Sequence, residues 1–326
     1  MRWLVTVPVV AALLAGCTDD DTTTEPERTS TATTTAPQTT PPPGTPTGGP
    51  AAPAPTPPAR VAPSDLRRAT AVAAVEHLAG TIGPRPGESD AFFRAARWAQ
   101  GELTSYGWTV SRQRFPSPPG DSWGVAVPGG PSVNLVATQG RLEPDDEWLL
   151  VGAHLDTVPQ APGAEDNASG VGVVLALAEA LQDRRARLPV VLVLFGSEEP
   201  RGPGEAHHYG SKAFVADLTP AQRRGLRGMV SLDRVGVGSV VPVQTVGEPN
   251  RVSGELVAAA RRVGVPVEEQ PGETSSDHES FADEGLPAAR LGSTPYAGYH
   301  SADDVASVIE RDQLARVGRI VLAWLR

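Results

Sequence analysis

The stretch 189–195, PVVLVLF, is apolar at every position and as long as one β-strand. A strand of that kind has no side to show to water, so it must be covered on both faces. The flanking sequence supplies the cover. Apolar residues recur at helical spacing over 65–80 and 88–106, and over 169–182, 208–215, 220–224, 253–263 and 311–325,. Further strands are expected over 108–115, 133–138, 148–153, 228–232, 240–246 and 287–291, with a Pro/Gly-rich loop over 116–131,. Strands alternating with helices predict an α/β fold, a three-layer α/β/α sandwich with a mixed, largely parallel central sheet. No internal repeat and no second linker interrupts 64–326, so this part is expected to be one domain.

In open α/β sheets ligands bind beyond the carboxyl ends of the strands. Three of the expected strands end in polar groups: VGAHLD with His154 and Asp156, VLFGSEE with Glu198 and Glu199, and MVSLD with Asp233. His and carboxylates from distant parts of the chain are thereby delivered to one rim. The single cysteine, Cys17, excludes an intramolecular disulfide and a thiolate metal site, so any metal must be held by His, Asp and Glu,.

The candidate ligands are His154, Asp166, Glu199, Asp233 and His300. Two imidazoles and three carboxylates form a set that suits zinc. Five ligands exceed what one tetrahedral ion uses, whereas two ions sharing a carboxylate account for all five. Asp166 lies in a small-residue turn, 163–170 (GAEDNASG), that lets a carboxylate approach two ions. Each piece also has an ordinary reading. A histidine after a strand is commonly satisfied by hydrogen bonds, an Asp-Asn-Ala-Ser turn commonly caps a helix, and Asn167-Ala168-Ser169 matches a glycosylation sequon,. Their order at the ends of successive strands favours the metal reading.

These segments resemble the secreted co-catalytic dizinc aminopeptidases, within the wider group of zinc-dependent exopeptidases with a phosphorylase/hydrolase-like fold. The similarity runs through NLVAT (134–138), GAHLDTVP (152–159), GAEDNASGVGVVLALAE (163–179) and VLFGSEE (193–199). It continues through YGSKAFV (209–215), SLDRVG (231–236), SSDHESFADEGLPA (275–288) and YHSADD (299–304). The resemblance implies that His154 and Asp233 bind one zinc, Glu199 and His300 the other, and that Asp166 bridges them. It implies Asp156 as the group that orients His154, Glu198 as general base and Tyr299 as an oxyanion-stabilising group. The expected substrates are peptides, cleaved at their N-terminal residue.

Other residues are harder to read. His278, in Ser276-Asp277-His278, is expected to give structural support or to touch substrate. Arg234, following Asp233, is expected either to form a salt bridge near that ligand or to meet substrate. His77, His207 and His208 are expected at the surface or in the core. The substrate pocket is expected to be walled by the loops 116–131 (with Trp123), 200–208 and 294–298.

Two other readings of the same resemblance stay open. A relative of glutaminyl cyclase would keep a single zinc and lack part of the dinuclear set, yet both His154 and Asp233 are present. A catalytically inactive binding domain on this fold would have lost ligands or the base, and all six are here. An amidohydrolase or carboxypeptidase with a dimerising lid would need a large insertion, for which there is no room between Glu199 and His278.

The N-terminus reads as an address. Arg2 precedes an apolar run, 3–14, too short for a comfortable membrane span, which ends in Leu14-Ala15-Gly16-Cys17,. That tetrad resembles a bacterial lipobox, which implies cleavage before Cys17 and a diacylglycerol on its thiol. Residues 1–17 are thus expected to be a lipoprotein signal peptide. Residues 18–63 hold 14 Thr, 12 Pro and no aromatic residue, a composition that cannot offset the entropy of folding, and are expected to be a disordered linker,. The catalytic domain is expected over 64–326, outside the cytoplasm and tethered to the membrane through Cys17. It carries 25 basic and 33 acidic residues, and the whole chain has a formal charge of −10, which excludes a nucleic-acid partner,. The chain is expected to act as a monomer.

Overall fold

A computed structural model of the protein describes residues 57–204 and 206–326. The expected signal peptide, Cys17 and almost all of the Thr/Pro-rich linker lie outside the described residues. The elements in chain order are α1 (Arg68–Val75), α2 (Asp90–Ser105), β1 (Thr109–Ser117), β2 (Gly120–Ser122), β3 (Val125–Val127), β4 (Gly130–Thr138), β5 (Trp148–His154), α3 (Gly170–Leu181) and β6 (Val190–Phe195). They continue with α4 (Tyr209–Asp217), α5 (Pro220–Gly225), β7 (Leu226–Asp233), β8 (Val241–Thr245), α6 (Arg251–Val263), β9 (Val267–Pro271), α7 (His278–Asp283), β10 (Ala288–Gly292) and α8 (Arg311–Leu325).

Eight strands form one sheet in the order β1-β4-β6-β5-β7-β10-β8-β9. Four pairings are parallel (β5 with β6, β5 with β7, β7 with β10, β8 with β9) and three antiparallel (β1 with β4, β4 with β6, β8 with β10). The sheet is mixed with a parallel centre, as the alternation predicts. β5 and β6 are buried at every residue, since each lies between two other strands and under helices on both faces. One face packs Leu149, Val151, Leu192 and Leu194 against α1, α2, α3, α6 and α8. The other packs Leu150, Val191, Val193 and Phe195 against Phe214 and Val215 of α4 and Phe281 of α7. This is the three-layer α/β/α sandwich.

After β5 the chain crosses through α3 to β6 on one side, then through α4 and α5 to β7 on the other side of β5. The strand order therefore reverses at β5, and a crevice opens at the carboxyl ends of β5, β6 and β7. Two glycines let the layers close there. A Cβ on Gly170 would stand 2.3 Å from the carbonyl oxygen of Leu232, and one on Gly210 would stand 2.3 Å from that of Gly196. Only glycine allows α3 and α4 to begin so close to the strand ends.

Three features depart from the sequence reading. The loop 116–131 contains a small hairpin, β2 paired with β3, which carries Trp123 at its turn. β9 and the short α7 were not expected. β9 is exposed or half-buried along its length, with no apolar alternation to betray it. The body also starts before residue 64. The Val61 amide donates to the Arg185 carbonyl (3.0 Å), the Arg185 amide donates to that of Ala59 (3.0 Å), and the Val61 side chain is wholly buried. Among the described residues no helix is long and apolar enough to cross a membrane.

Candidate metal centre and active site

His154 is the last residue of β5, Asp233 the last of β7, and Glu198 and Glu199 follow β6 by three and four residues. Asp166 comes from the turn Ala164–Ser169 that leads into α3, and His300 from the loop before α8. All of these side chains except that of His300 are at least nine-tenths buried at the residue level. His154 Nε2 lies 3.1 Å from Asp166 Oδ1 and 3.5 Å from Asp233 Oδ1. His300 Nε2 lies 3.1 Å from Asp166 Oδ2 and 3.4 Å from Glu199 Oε2. Asp166 thus turns one oxygen to each histidine, the arrangement expected of a bridging carboxylate. Glu198 Oε2 is 4.0 Å from His154 Nε2 on the side facing the cavity.

The donor atoms fit metal ions rather than one another. Glu199 Oε1, Asp233 Oδ1 and His300 Nδ1 are buried without a hydrogen-bond partner. Such orphaned polar atoms are costly unless a ligand completes them. The ligand atoms of His154, Asp166 and Glu199 lie within 4.8 Å of one another, as do those of His154, Glu198 and Asp233. Charge points the same way. Burial, then the charge of Asp166, pushes the Glu199 carboxyl up to about 8. Burial opposes a charged His300, but Glu199 and Asp166 outweigh it and lift this imidazole to about 10. Glu199 and His300 thus hold protons that a bound cation would displace.

Around the ligands a second layer fixes their direction. Asp156 accepts from the backbone amides of Glu198 (3.1 Å) and Glu199 (3.2 Å), and one of its oxygens is 3.8 Å from His154 Nδ1. Its main contacts therefore hold the Glu198-Glu199 turn, while His154 Nδ1 sits nearer the Asp156 carbonyl oxygen, at 3.2 Å. Asp304 accepts from the amides of Glu165 (2.7 Å) and Asp166 (3.1 Å). Asn167 Oδ1 accepts from the Gly170 amide (3.0 Å) at the start of α3, so the helix-cap reading holds for Asn167 beside the metal reading for Asp166. Its Nδ2 donates to the Leu232 carbonyl (2.8 Å) and the residue is wholly buried, which closes the sequon to glycosylation. Ser197, His208, Arg234, Ser293, His300 and Trp123 all have φ between 52° and 77°. Four of them, Trp123, His208, Arg234 and His300, line the cavity, and this costly conformation marks a site whose geometry the surrounding fold enforces,.

The cavity above the ligands has a volume of about 210 Å³. Trp123, Pro200, His207, Arg234, Thr274 and Tyr299 contribute to its walls. Trp123 meets the His300 ring edge-on at 4.6 Å, and Tyr299 stacks on His300 at 3.7 Å. The Arg234 guanidinium lies 4.3 Å over the Tyr299 ring, 4.0 Å from Asp233, and bonds to Ser293 Oγ. The loops with Trp123 and Pro200 form walls as expected, whereas 294–298 does not line the cavity and Thr274 and Ser275 do.

Two sequence expectations are corrected. His207 and His208 are neither surface nor core residues but line the cavity, and His208 Nε2 is 3.0 Å from Glu198 Oε1. His278 is fully buried at the start of α7, with Nε2 2.9 Å from the Glu273 carbonyl oxygen, and does not line the cavity. His77 alone of that group stays remote, stacked on Trp98 at 4.4 Å. Two arginines were missed. Arg290 of β10 is wholly buried and its Nη2 is 2.9 Å from Asp233 Oδ2, which helps hold that carboxyl well below its usual range against the effect of burial. An arginine inside the apolar segment 288–292 was a readable sign of a buried acid nearby. Arg85, also wholly buried, donates to the carbonyls of Leu155 (2.7 Å), Pro162 (2.7 Å) and Gly163 (3.0 Å) and so pins the loop that carries Asp166.

The model of one family, described as Peptidase family M28, matches residues 134–325. The uncharacterised protein YfbL of Escherichia coli K12 is 25% identical over 301 residues, which is 80% of this chain and 86% of YfbL. The aminopeptidase YwaD of Bacillus subtilis 168 is 29% identical over 186 residues, 54% of this chain and 40% of YwaD. The chain therefore spans less than half of that named aminopeptidase. Among solved structures, the zinc aminopeptidase BSAP of Bacillus subtilis superposes with a TM-score of 0.71 at 18% identity, covering 79% of this chain and 94% of that one. A glutaminyl cyclase of Porphyromonas gingivalis superposes with a TM-score of 0.68 at 22% identity, covering 80% and 98%. The structural likenesses carry the fold.

Proposed function

Because the chain belongs to peptidase family M28, we propose that it is a metallo-aminopeptidase that removes N-terminal residues from peptides, with two zinc ions per chain and Glu198 as general base. The observation that carries this reading is the pair of 3.1 Å approaches from the two Asp166 oxygens to His154 and His300. His154 and Asp233 would hold one ion, Glu199 and His300 the other, and Asp166 both. Zinc, when bound, supplies Lewis-acid polarisation of the scissile carbonyl and makes water acidic enough to attack near neutral pH.

The rest is work for this chain's side chains. Glu198 is buried, which favours the protonated acid, but His154 and His208 outweigh burial and hold its carboxyl below the usual range. It is ionised at neutral pH and can take the proton from the attacking water, then deliver it to the leaving amine. Asp156, through the two amides it binds, keeps Glu198 facing the cavity while Glu199 turns toward His300, where it would hold an ion. Tyr299, at the mouth beside His300, is placed to donate to the developing oxyanion, and Arg234 over its ring fixes the ring plane,. A small acidic cavity suits one residue with a free α-ammonium group.

A glutaminyl-cyclase-like activity shares the fold, but the complete five-ligand set favours the dinuclear peptidase. The test is hydrolysis of aminoacyl substrates against N-blocked peptides, before and after zinc removal. Zinc-dependent cleavage of the free-amine substrates alone supports the reading; cleavage of blocked peptides alone overturns it. Residues 14–17 further support an extracytoplasmic enzyme anchored through lipidated Cys17: Cys17→Ala should release it from the membrane fraction, and retention there would contradict the anchor.

A further inference from the structure

Behind Glu198, on the side away from the five ligands, His207, His208 and Glu279 bring three more donor atoms together. His208 Nδ1 is 3.1 Å and His207 Nδ1 3.8 Å from Glu279 Oε2, and all three atoms lie within 4.8 Å of one another. All three are buried, and none has a hydrogen-bond partner. His208 Nδ1 is within reach of Glu279 Oε2, whereas His207 Nδ1, at 3.8 Å, is beyond hydrogen-bond distance of it. A chain of hydrogen bonds from Glu198 through His208 to Glu279 would therefore leave His207 Nδ1 unexplained.

A single point between the three atoms accounts for them together. A tetrahedral zinc with bonds of about 2.0–2.1 Å holds its ligand atoms about 3.4 Å apart, close to the two separations seen here. Two imidazoles and one carboxylate are a zinc donor set, with the fourth position left to the cavity. The sequence places them for it: His207 and His208 end the loop after Glu199, and Glu279 is the second residue of α7, which packs against α4.

We propose that His207, His208 and Glu279 form a third zinc site, separate from the dinuclear centre and joined to it through His208. The ion takes the place of the proton on His208 Nδ1, so one proton is released as it binds. His208 Nε2–H then donates to Glu198 Oε1 at the 3.0 Å already present. The donor that orients the base is thereby fixed in one tautomer. The groups facing the pair are Glu198 and Glu279 toward both histidines and Asp277 toward His208, with Lys212 the opposing charge beside His207 and Glu279.

The experiment is a zinc titration of the metal-free full chain, with bound metal counted after removal of free ion. The wild type should bind three ions, and His207→Gln and Glu279→Gln two each, with unchanged circular dichroism. The double variant His154→Ala/His300→Ala, which disables the dinuclear centre, should still bind one ion, and adding Glu279→Gln to it should abolish that binding. This last pair isolates the third site even if the dinuclear reading fails. Equal zinc in Glu279→Gln and the wild type, or no ion in the double variant, overturns the proposal, whichever of the two substitutions at the third site folds.

Discussion

Two groups of buried polar residues lie side by side under the crevice and differ in one respect. In the first, Arg85, Glu165, Asn167 and Asp304 spend their polar atoms on backbone partners: Arg85 on five carbonyls, Glu165 on the amides of Gly236 (2.7 Å) and Val237 (3.1 Å), Asp304 on those of Glu165 and Asp166. In the second, Glu199, Asp233 and His300 keep buried atoms with no partner. A satisfied network rigidifies; an unsatisfied one waits for something else to bind. The first group is scaffold and the second is site. Substitutions in the scaffold should cost stability, while substitutions in the site should cost chemistry and little stability.

The largest effect expected is on chemistry. Glu198→Gln should lower kcat by roughly 10²–10⁴-fold while zinc content and the unfolding transition stay as in the wild type. A variant that keeps its rate would remove Glu198 from the role of base. On the scaffold side, Arg85→Met strips the loop carbonyls of a buried cationic donor and should cost about 3–5 kcal/mol in denaturant unfolding. If it unfolds like the wild type and only the rate suffers, Arg85 belongs with the site and the division between the two groups fails.

The dependence on pH sharpens the comparison further. In the zinc-free chain Glu199 is lifted from 4.5 to about 8 and His300 from 6.5 to about 10. Both folded-state values lie above the unfolded ones. The stability these protons confer is therefore complete below the unfolded values and lost as pH rises through the folded ones. The zinc-free chain should lose this contribution between pH 4.5 and about 8 for Glu199 and between pH 6.5 and about 10 for His300,. Zinc displaces the same protons, so its binding strengthens as pH rises. The rise in Tm on adding zinc should be larger at pH 9 than at pH 6; a smaller rise at pH 9 would contradict this ordering. The smallest effect belongs to the rim. Trp123 is 56% exposed, and Trp123→Ala should raise KM roughly fivefold, about 1 kcal/mol, with no change in unfolding.

The sequence revealed most of the site because its ligands sit where backbone periodicity stops. His154 and Asp233 end their strands, and the turn with Glu198 and Glu199 begins where the apolar run 189–195 ends. Their place on one rim follows from parallel pairing alone. What stayed hidden depends on contacts between elements far apart in sequence. His208 reaches Glu198 only because its loop folds back over the rim and its φ is 57°. Arg85 reaches the Asp166 loop only through tertiary packing, and nothing in its neighbourhood, Gly-Pro-Arg-Pro-Gly, announces that. For His278 the sequence left structural support and substrate contact open, and only the burial of α7 against the sheet decides for support. Trp123 was readable as a wall residue, though not the hairpin that holds it, whose two strands are too short to show a period.

The central claim is that Asp166 bridges two zinc ions, and anomalous X-ray diffraction at the zinc edge from crystals of the zinc-loaded protein tests it most directly. The account predicts two peaks flanking Asp166, one against His154 and Asp233 and the other against Glu199 and His300. A single peak beside Asp166, or none, would contradict it.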